Sequence, residues 1–360
     1  MRLRVLITAV LAAVTLGGCA AAPAAAPTVA AKSEQAILVV GHRGASAYRP
    51  EHTLASYELA AQMGADYIEP DLVITSDGVL VTRHEPEISG TTDVAAHPEF
   101  AARKATKTID GTPLTGWFTE DFTLAELKTL RAKERIPAVR KENTAFDGQF
   151  EIATFAEVLD LRARLSTELH REIGIYPETK HPSYFASIGK PLEPKLVDAL
   201  SKAGLNRKDA PVFVQSFETG NLRALHDQLA VPLVQLLSAE GSPPGDTRTY
   251  ADLITPAGLA DIATYAAAIA PEKNQVIARD AAGNLGQPTS LVADAHAAGL
   301  TVTPYTFRPE NQFLPTDLRS GASPSDRGNL AAEYAAFFAA GVDGVFADAP
   351  DTAVAARNAR

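Results

Sequence analysis

The sequence predicts a (β/α)8 barrel, slightly irregular, with an inserted cap region after the third strand. Three observations point there. Strand-like apolar runs alternate with helical patterns over most of residues 36–355, as in a parallel sheet joined by crossover helices. The polar clusters stand at the C-terminal ends of those runs, where barrel enzymes build their sites. No glycine-rich nucleotide fingerprint follows the first run, which argues against an open doubly wound sheet.

The first apolar run, 37–41, gives way to the polar turn His42-Arg43-Gly44. Thr53–Met63 carries apolar residues at helical spacing, and Gly64 is placed to end it. The extended segment Tyr67–Ile74 completes a βαβ unit. Glu69 and Asp71 sit two apart within it, so a strand turns both carboxylates to the same side. Val79–Thr82 follows the turn signal Ser76-Asp77-Gly78, and no helical pattern spans the interval. A hairpin is expected, and with Asp77-Gly78 as its two turn residues His84 falls opposite Asp71.

The alternation then lapses. Ser89–Phe150 reads as an insertion over the site, carrying Trp117, Phe118 and a helix-like Thr123–Arg131 with capping residues Thr123 and Glu126. A second helical pattern covers Thr154–Leu165. Strand-like runs resume at Ile173–Lys180, Val212–Phe217, Leu233–Leu237, Thr301–Phe307 and Gly344–Ala347, with one more within 266–274. Helical patterns lie between them at Leu192–Ala203, Gly220–Gln228, Leu259–Ala267, Ser290–Ala298 and Leu330–Ala340.

Residues 1–18 stand outside this pattern. Arg2 and Arg4 precede the apolar run Val5–Leu16, as in a secretory signal. Leu16-Gly17-Gly18-Cys19 resembles the lipobox of bacterial lipoproteins, and Cys19 is the one cysteine in the chain, so no internal disulfide claims it. Cys19 is therefore the expected lipidation site; an ordinary signal peptide cut nearby is the alternative. The Ala/Pro-rich stretch 19–35 reads as a tether to an extracytoplasmic membrane face. The net charge of −10 and the lack of basic patches exclude a nucleic-acid partner, and no protein partner is inferred. Hydrophobic content of 46% suffices for one large core.

His42-Arg43-Gly44, Pro50-Glu51-His52-Thr53, Glu69-Pro70-Asp71, Asp77-Gly78 and His84-Glu85 resemble the signature of glycerophosphodiester phosphodiesterases, the periplasmic or secreted branch most closely. Glu178-Thr179-Lys180-His181-Pro182, Val214-Gln215-Ser216-Phe217-Glu218, Thr303–Arg308 and Gly341–Gly344 fit the same family in the same order, so the resemblance spans roughly Ile37 to Asp351. Ala47 and His52 stand where that family often has Gly and Asn.

The resemblance implies metal-dependent cleavage of small-molecule glycerophosphodiesters into sn-glycerol 3-phosphate and an alcohol. Glu69, Asp71 and Glu178 are the metal candidates. Three hard oxygen donors suit one divalent cation, calcium first and magnesium second. His42 and His84 are the acid–base candidates, since imidazole titrates near neutral pH. Arg43 and Lys180 are assigned to the phosphoryl oxygens, and Phe217 to the wall around the alcohol. Trp117, Phe118 and Phe307 either line the same pocket or, as aromatics more often do, belong to the core, and Arg83 is read as facing away from His84. Arg308 is either a second anion contact or a salt-bridge partner on the rim. Glu51 is either a supporting site residue or an acid at the helix start. Rival activities are a related barrel phosphodiesterase acting on lysophospholipid, phosphoinositide or a glycerol-phosphate polymer, and a surface lipoprotein that binds without turnover.

Overall fold

The computed structural model describes residues 37–360 and the isolated residue 9, so the leader, the tether and Cys19 lie outside the described residues. Eight parallel strands close a barrel. They are β1 (Leu38–His42), β2 (segments Tyr67–Glu69 and Asp71–Ile74), β3 (segments Gly174–Ile175 and Glu178–Thr179), β4 (Val214–Ser216), β5 (Leu233–Leu237), β6 (Ala268–Pro271), β7 (Thr301–Val302) and β8 (Gly344–Ala347). The interruptions in β2 and β3 fall at or beside Pro70 and Pro177, which have no N–H for the ladder. The sheet still runs through them, because the Glu178 amide donates to the Pro70 carbonyl at 2.9 Å. Closure is made beyond β7, where the Phe307 amide donates to the Phe346 carbonyl at 2.9 Å.

The two-residue period of the strands sorts side chains between two cores. Val39, Ile68, Leu72 and Val345 point outward against the helices, in the larger cluster. Val40, Tyr176, Val234, Leu236, Ala268, Ala270 and Phe346 point inward and fill the barrel. The same inward parity, carried one step further along each strand, delivers the polar groups: Val40 leads to His42, Tyr67 to Glu69 and Asp71, and Tyr176 to Glu178 and Lys180. Phe346 leads to Asp348 in the same way. An apolar plug therefore sits beneath the site, at the C-terminal end of the barrel.

The hairpin after β2 forms, but in a different register from the sequence expectation. Leu72 pairs with Thr82 and Ile74 with Leu80, and the Arg83 amide donates to the Asp71 carbonyl at 3.0 Å. The turn uses three residues, Ser76 to Gly78, closed by the Thr75 amide on the Val79 carbonyl at 3.0 Å. The extra turn residue places Arg83, not His84, opposite Asp71. The insertion holds a hairpin, Ala105–Ile109 with Thr112–Gly116, and the short helix Leu124–Leu127 with the capping box that Thr123 and Glu126 suggested. Helix Pro256–Ile262 stops short of its expected end, because Ala268–Pro271 is strand β6.

Candidate active site

A cleft opens at the C-terminal end of the barrel. Its polar wall comprises His42, Arg43, Glu69, His84, Glu178, Lys180, Gln215, Thr306 and Arg308; Phe217, Leu236, Tyr305 and Phe346 make the apolar one. Of the sequence-selected groups, Asp71 lies buried just behind this surface and Glu51 lines an adjoining cleft. Trp117, Phe118 and Phe307 are buried away from it; Phe307 stacks on Tyr334 with centroids 5.0 Å apart.

Glu69, Asp71 and Glu178 bring carboxylate oxygens within 4.8 Å of one another. Each carboxylate is buried and partly restrained. Glu69 accepts from the Arg43 amide at 2.8 Å and from Gln215 Nε2 at 3.0 Å, while Lys180 Nζ donates to Glu178 at 2.8 Å. His52 donates to Asp71 Oδ2 at 2.9 Å, with its other ring nitrogen 2.8 Å from the Tyr57 hydroxyl. Asp71 Oδ1 has no hydrogen-bond partner in its buried position. Burial and the facing charges of Asp71 and Glu178 push the Glu69 pKa well up. Burial likewise raises Glu178. Asp71 is instead held well below the carboxylate range against the burial penalty, by Lys180 and His52. Three clustered carboxylates with a buried, unpartnered oxygen fit a hard cation, since isolated buried charge is costly.

The two histidines share one arrangement. His42 Nδ1 lies 2.6 Å from Asp348 Oδ1, and His84 Nδ1 is hydrogen-bonded to Glu85 Oε1. A carboxylate on Nδ1 fixes the tautomer and leaves Nε2 free to take or give a proton. Burial lowers the His42 pKa to about 4, with the neighbouring Arg43 charge adding to the effect and Asp348 opposing it. Burial, Arg43 and Lys180 depress His84 in the same direction.

Arg43 sits at φ +58° in the tight turn after β1, next to Gly44 at φ +91°. Glycine is required there: a Cβ on Gly44 would lie 2.5 Å from the Ser56 carbonyl carbon of helix α1 (Leu54–Gln62). Glu51 makes no cap for that helix; Thr53 does. Glu51 instead takes Arg43 Nη1 at 3.0 Å and Arg135 from the insertion at 2.6 Å, which ties the cleft-lining Arg43 to the insertion. Arg43 Nε is buried without a hydrogen bond and lies 3.6 Å from Asp71 Oδ2, which brings its charge onto the acidic triad. Lys180 Nζ lies 5.6 Å above the Phe217 ring. Arg308 is a salt-bridge partner, pairing with Asp348 at 3.0 Å, and it also lines the cleft. Arg83 is buried on backbone carbonyls, away from His84's cleft.

Sequence reasoning passed over His52, Asp348, Arg135 and Arg140. Asp348 was findable, since it directly follows β8 with inward parity, as His42 ends β1. Nothing in sequence spacing links His52 to Asp71, or the two insertion arginines to the barrel rim.

A profile of the glycerophosphoryl diester phosphodiesterase family matches residues 42–352. The chain belongs to that family. It is 38% identical over 288 residues to a glycerophosphodiester phosphodiesterase of Arabidopsis thaliana, covering 76% of this chain and 75% of that one. A Haemophilus influenzae glycerophosphodiester phosphodiesterase is 29% identical over 380 aligned positions, with 98% of both chains covered. The fold matches a family structure from Silicibacter pomeroyi at TM-score 0.62 and 19% identity, over 91% of this chain and 94% of that one. It also matches an Oleispira antarctica phosphodiesterase solved with the product sn-glycerol-3-phosphate, at TM-score 0.57 and 21% identity, over 90% of this chain and 97% of that one. The family is divalent-metal dependent, and the acidic cluster of this member is suited to such an ion.

Proposed function

We propose that this enzyme hydrolyses glycerophosphodiesters to sn-glycerol 3-phosphate and an alcohol, with His42 and His84 as its acid–base pair. The observation that carries the reading is the convergence on one cleft of the acidic triad and two histidines, each with a carboxylate on Nδ1. The Oleispira relative holds the expected product. A divalent cation on Glu69, Asp71 and Glu178 supplies positive charge for the phosphoryl oxygens when bound. Calcium is the first choice and magnesium the second, since three hard carboxylate oxygens suit an ion of this class.

The chain's own groups do the rest. Arg43 and Lys180 hold the phosphoryl group, Arg43 through donors that Glu51 orients. One histidine removes the nucleophile's proton and the other protonates the leaving alkoxide, steps worth about 10²–10⁴-fold each. Phe217, with Tyr305 at a ring distance of 6.1 Å, shapes an apolar wall for the carbon skeleton.

The N-terminus completes the proposal: residues 1–18 form a lipoprotein signal, Cys19 carries the lipid and 19–35 tethers the barrel outside the cytoplasm. Cys19→Ser is expected to release a soluble, active enzyme. Recovery of the wild-type chain as a freely secreted protein with another N-terminus would overturn this part. The activity is tested by turnover of glycerophosphocholine, glycerophosphoethanolamine and a glycerol-phosphate polymer, with and without calcium. Binding of all three without turnover would leave a ligand-binding lipoprotein instead.

A further inference from the structure

Both histidine-orienting carboxylates are gripped from behind by one short stretch of the insertion. Arg135 donates to Glu85 at 3.0 and 2.7 Å and to Glu51 at 2.8 and 2.6 Å, and Glu85 is the partner of His84. Arg140 donates to Asp348 at 2.5 Å and to Glu310 at 2.7 Å, and Asp348 is the partner of His42. We propose that the inserted segment is a positioning clamp for catalysis: Arg135 sets His84 through Glu85, and Arg140 sets His42 through Asp348. This rests on the reading of the two histidines as the acid–base pair.

The physical case begins with freedom of motion. Glu85 is part-exposed, with 30% of its side-chain surface accessible, and its long side chain has several rotamers. A planar guanidinium fork bonded to both oxygens selects one of them. The segment bearing the forks is itself held. The Glu134 amide donates to Asp147 at 2.7 Å, Glu134 accepts from the Ile136 amide and Asn143 Nδ2 at 2.8 Å each, and the Lys133 amide donates to the Thr91 carbonyl at 2.9 Å. Arg140 Nη1 and Asn143 Nδ2 both donate to the Ser46 carbonyl, at 2.9 and 3.1 Å, which ties the segment to the loop after β1. Neither arginine lines the cleft that holds the acidic triad; both line the adjoining one, where their guanidinium groups are taken up by Glu51, Glu85, Glu310 and Asp348. Displacing a reacting group by about 1 Å is enough to cost about 10²-fold in rate.

The test uses the full chain loaded with a divalent cation. Arg135→Ala, Arg140→Ala, His42→Ala and His84→Ala are assayed on glycerophosphocholine and on a glycerophosphoryl nitrophenyl ester. The arginine variants are expected to lose about 10²-fold in kcat on glycerophosphocholine while keeping metal binding by calorimetry. Added guanidinium should restore part of that loss, and Arg135→Lys should stay defective because an ammonium lacks the fork. The nitrophenyl ester needs little protonation of its leaving group, so it should rescue one histidine variant and only the arginine variant behind that same histidine. Rescue pairing Arg135 with His42, or normal kcat in both folded arginine variants beside inactive histidine variants, would overturn the clamp and leave the acid–base reading intact. Normal turnover in the histidine variants would sink that reading first. Should an arginine variant not fold, Glu85→Gln and Asp348→Asn weaken the same links with less disturbance, and unchanged kcat in both would also overturn the clamp.

Discussion

His42 and Asp348 meet 306 positions apart in sequence, with Nδ1 of one 2.6 Å from Oδ1 of the other. The contact joins β1 to the end of β8, across the neighbouring pair that brings the two ends of the barrel domain together. Asp348 also takes Arg140 at 2.5 Å and Arg308 at 3.0 Å, so a single buried carboxylate organises three cationic or proton-carrying groups.

Asp348→Ala should therefore harm stability as well as rate. Removing one side of a buried ion pair leaves the other charge uncompensated and typically costs about 3–5 kcal/mol. Denaturant unfolding is the check. A variant within about 0.5 kcal/mol of wild type, the range usual for featureless surface positions, would show that the carboxylate is dispensable.

The pH dependence follows from His42. The folded protein holds its pKa near 4, chiefly through burial, against an ordinary 6.5. The unfolded ring takes a proton that the folded one refuses, so this contribution to stability is present above pH 6.5 and lost as pH falls toward 4. A neutral His42 at pH 7 is ready to act as a base. The acid limb of kcat/KM should lie below pH 6.5; a limb at or above that value would contradict the burial argument.

Cation binding should release protons. With Glu69 and Glu178 both raised, the unloaded triad retains a proton at neutral pH that a bound cation displaces. Calorimetry of calcium or magnesium binding in two buffers of different ionisation enthalpy reads that number directly, and affinity should weaken as pH falls. Identical heats in both buffers would mean that the carboxylates are already fully ionised. Glu69→Ala, Asp71→Ala and Glu178→Ala should each weaken binding.

Gly44→Ala tests the turn that aims Arg43. The position combines φ +91° with a Cβ 2.5 Å from helix backbone, so the substitution should cost more than about 1 kcal/mol and displace the Arg43 amide from Glu69. A stable, fully active variant would show that the turn can relax.

Much of this was legible because strand parity is local. Glu69 with Asp71 and Glu178 with Lys180 each lie two apart on a strand, and each pair does face inward. The hairpin register was misread by one because the Ser76–Gly78 turn takes three residues, a choice that its sequence does not fix. The insertion's contribution was invisible for another reason. Arg135 and Arg140 act through contacts up to 208 positions away, which only the folded barrel rim creates.

The most direct measurement is release of sn-glycerol 3-phosphate from glycerophosphocholine by the full chain, first in excess chelator and then after adding back calcium or magnesium. The account predicts no release in chelator, recovery with the cation, and losses of at least about 10²-fold in His42→Ala and His84→Ala that still bind it. Unchanged release in excess chelator, or near-normal turnover by both folded histidine variants, would contradict it.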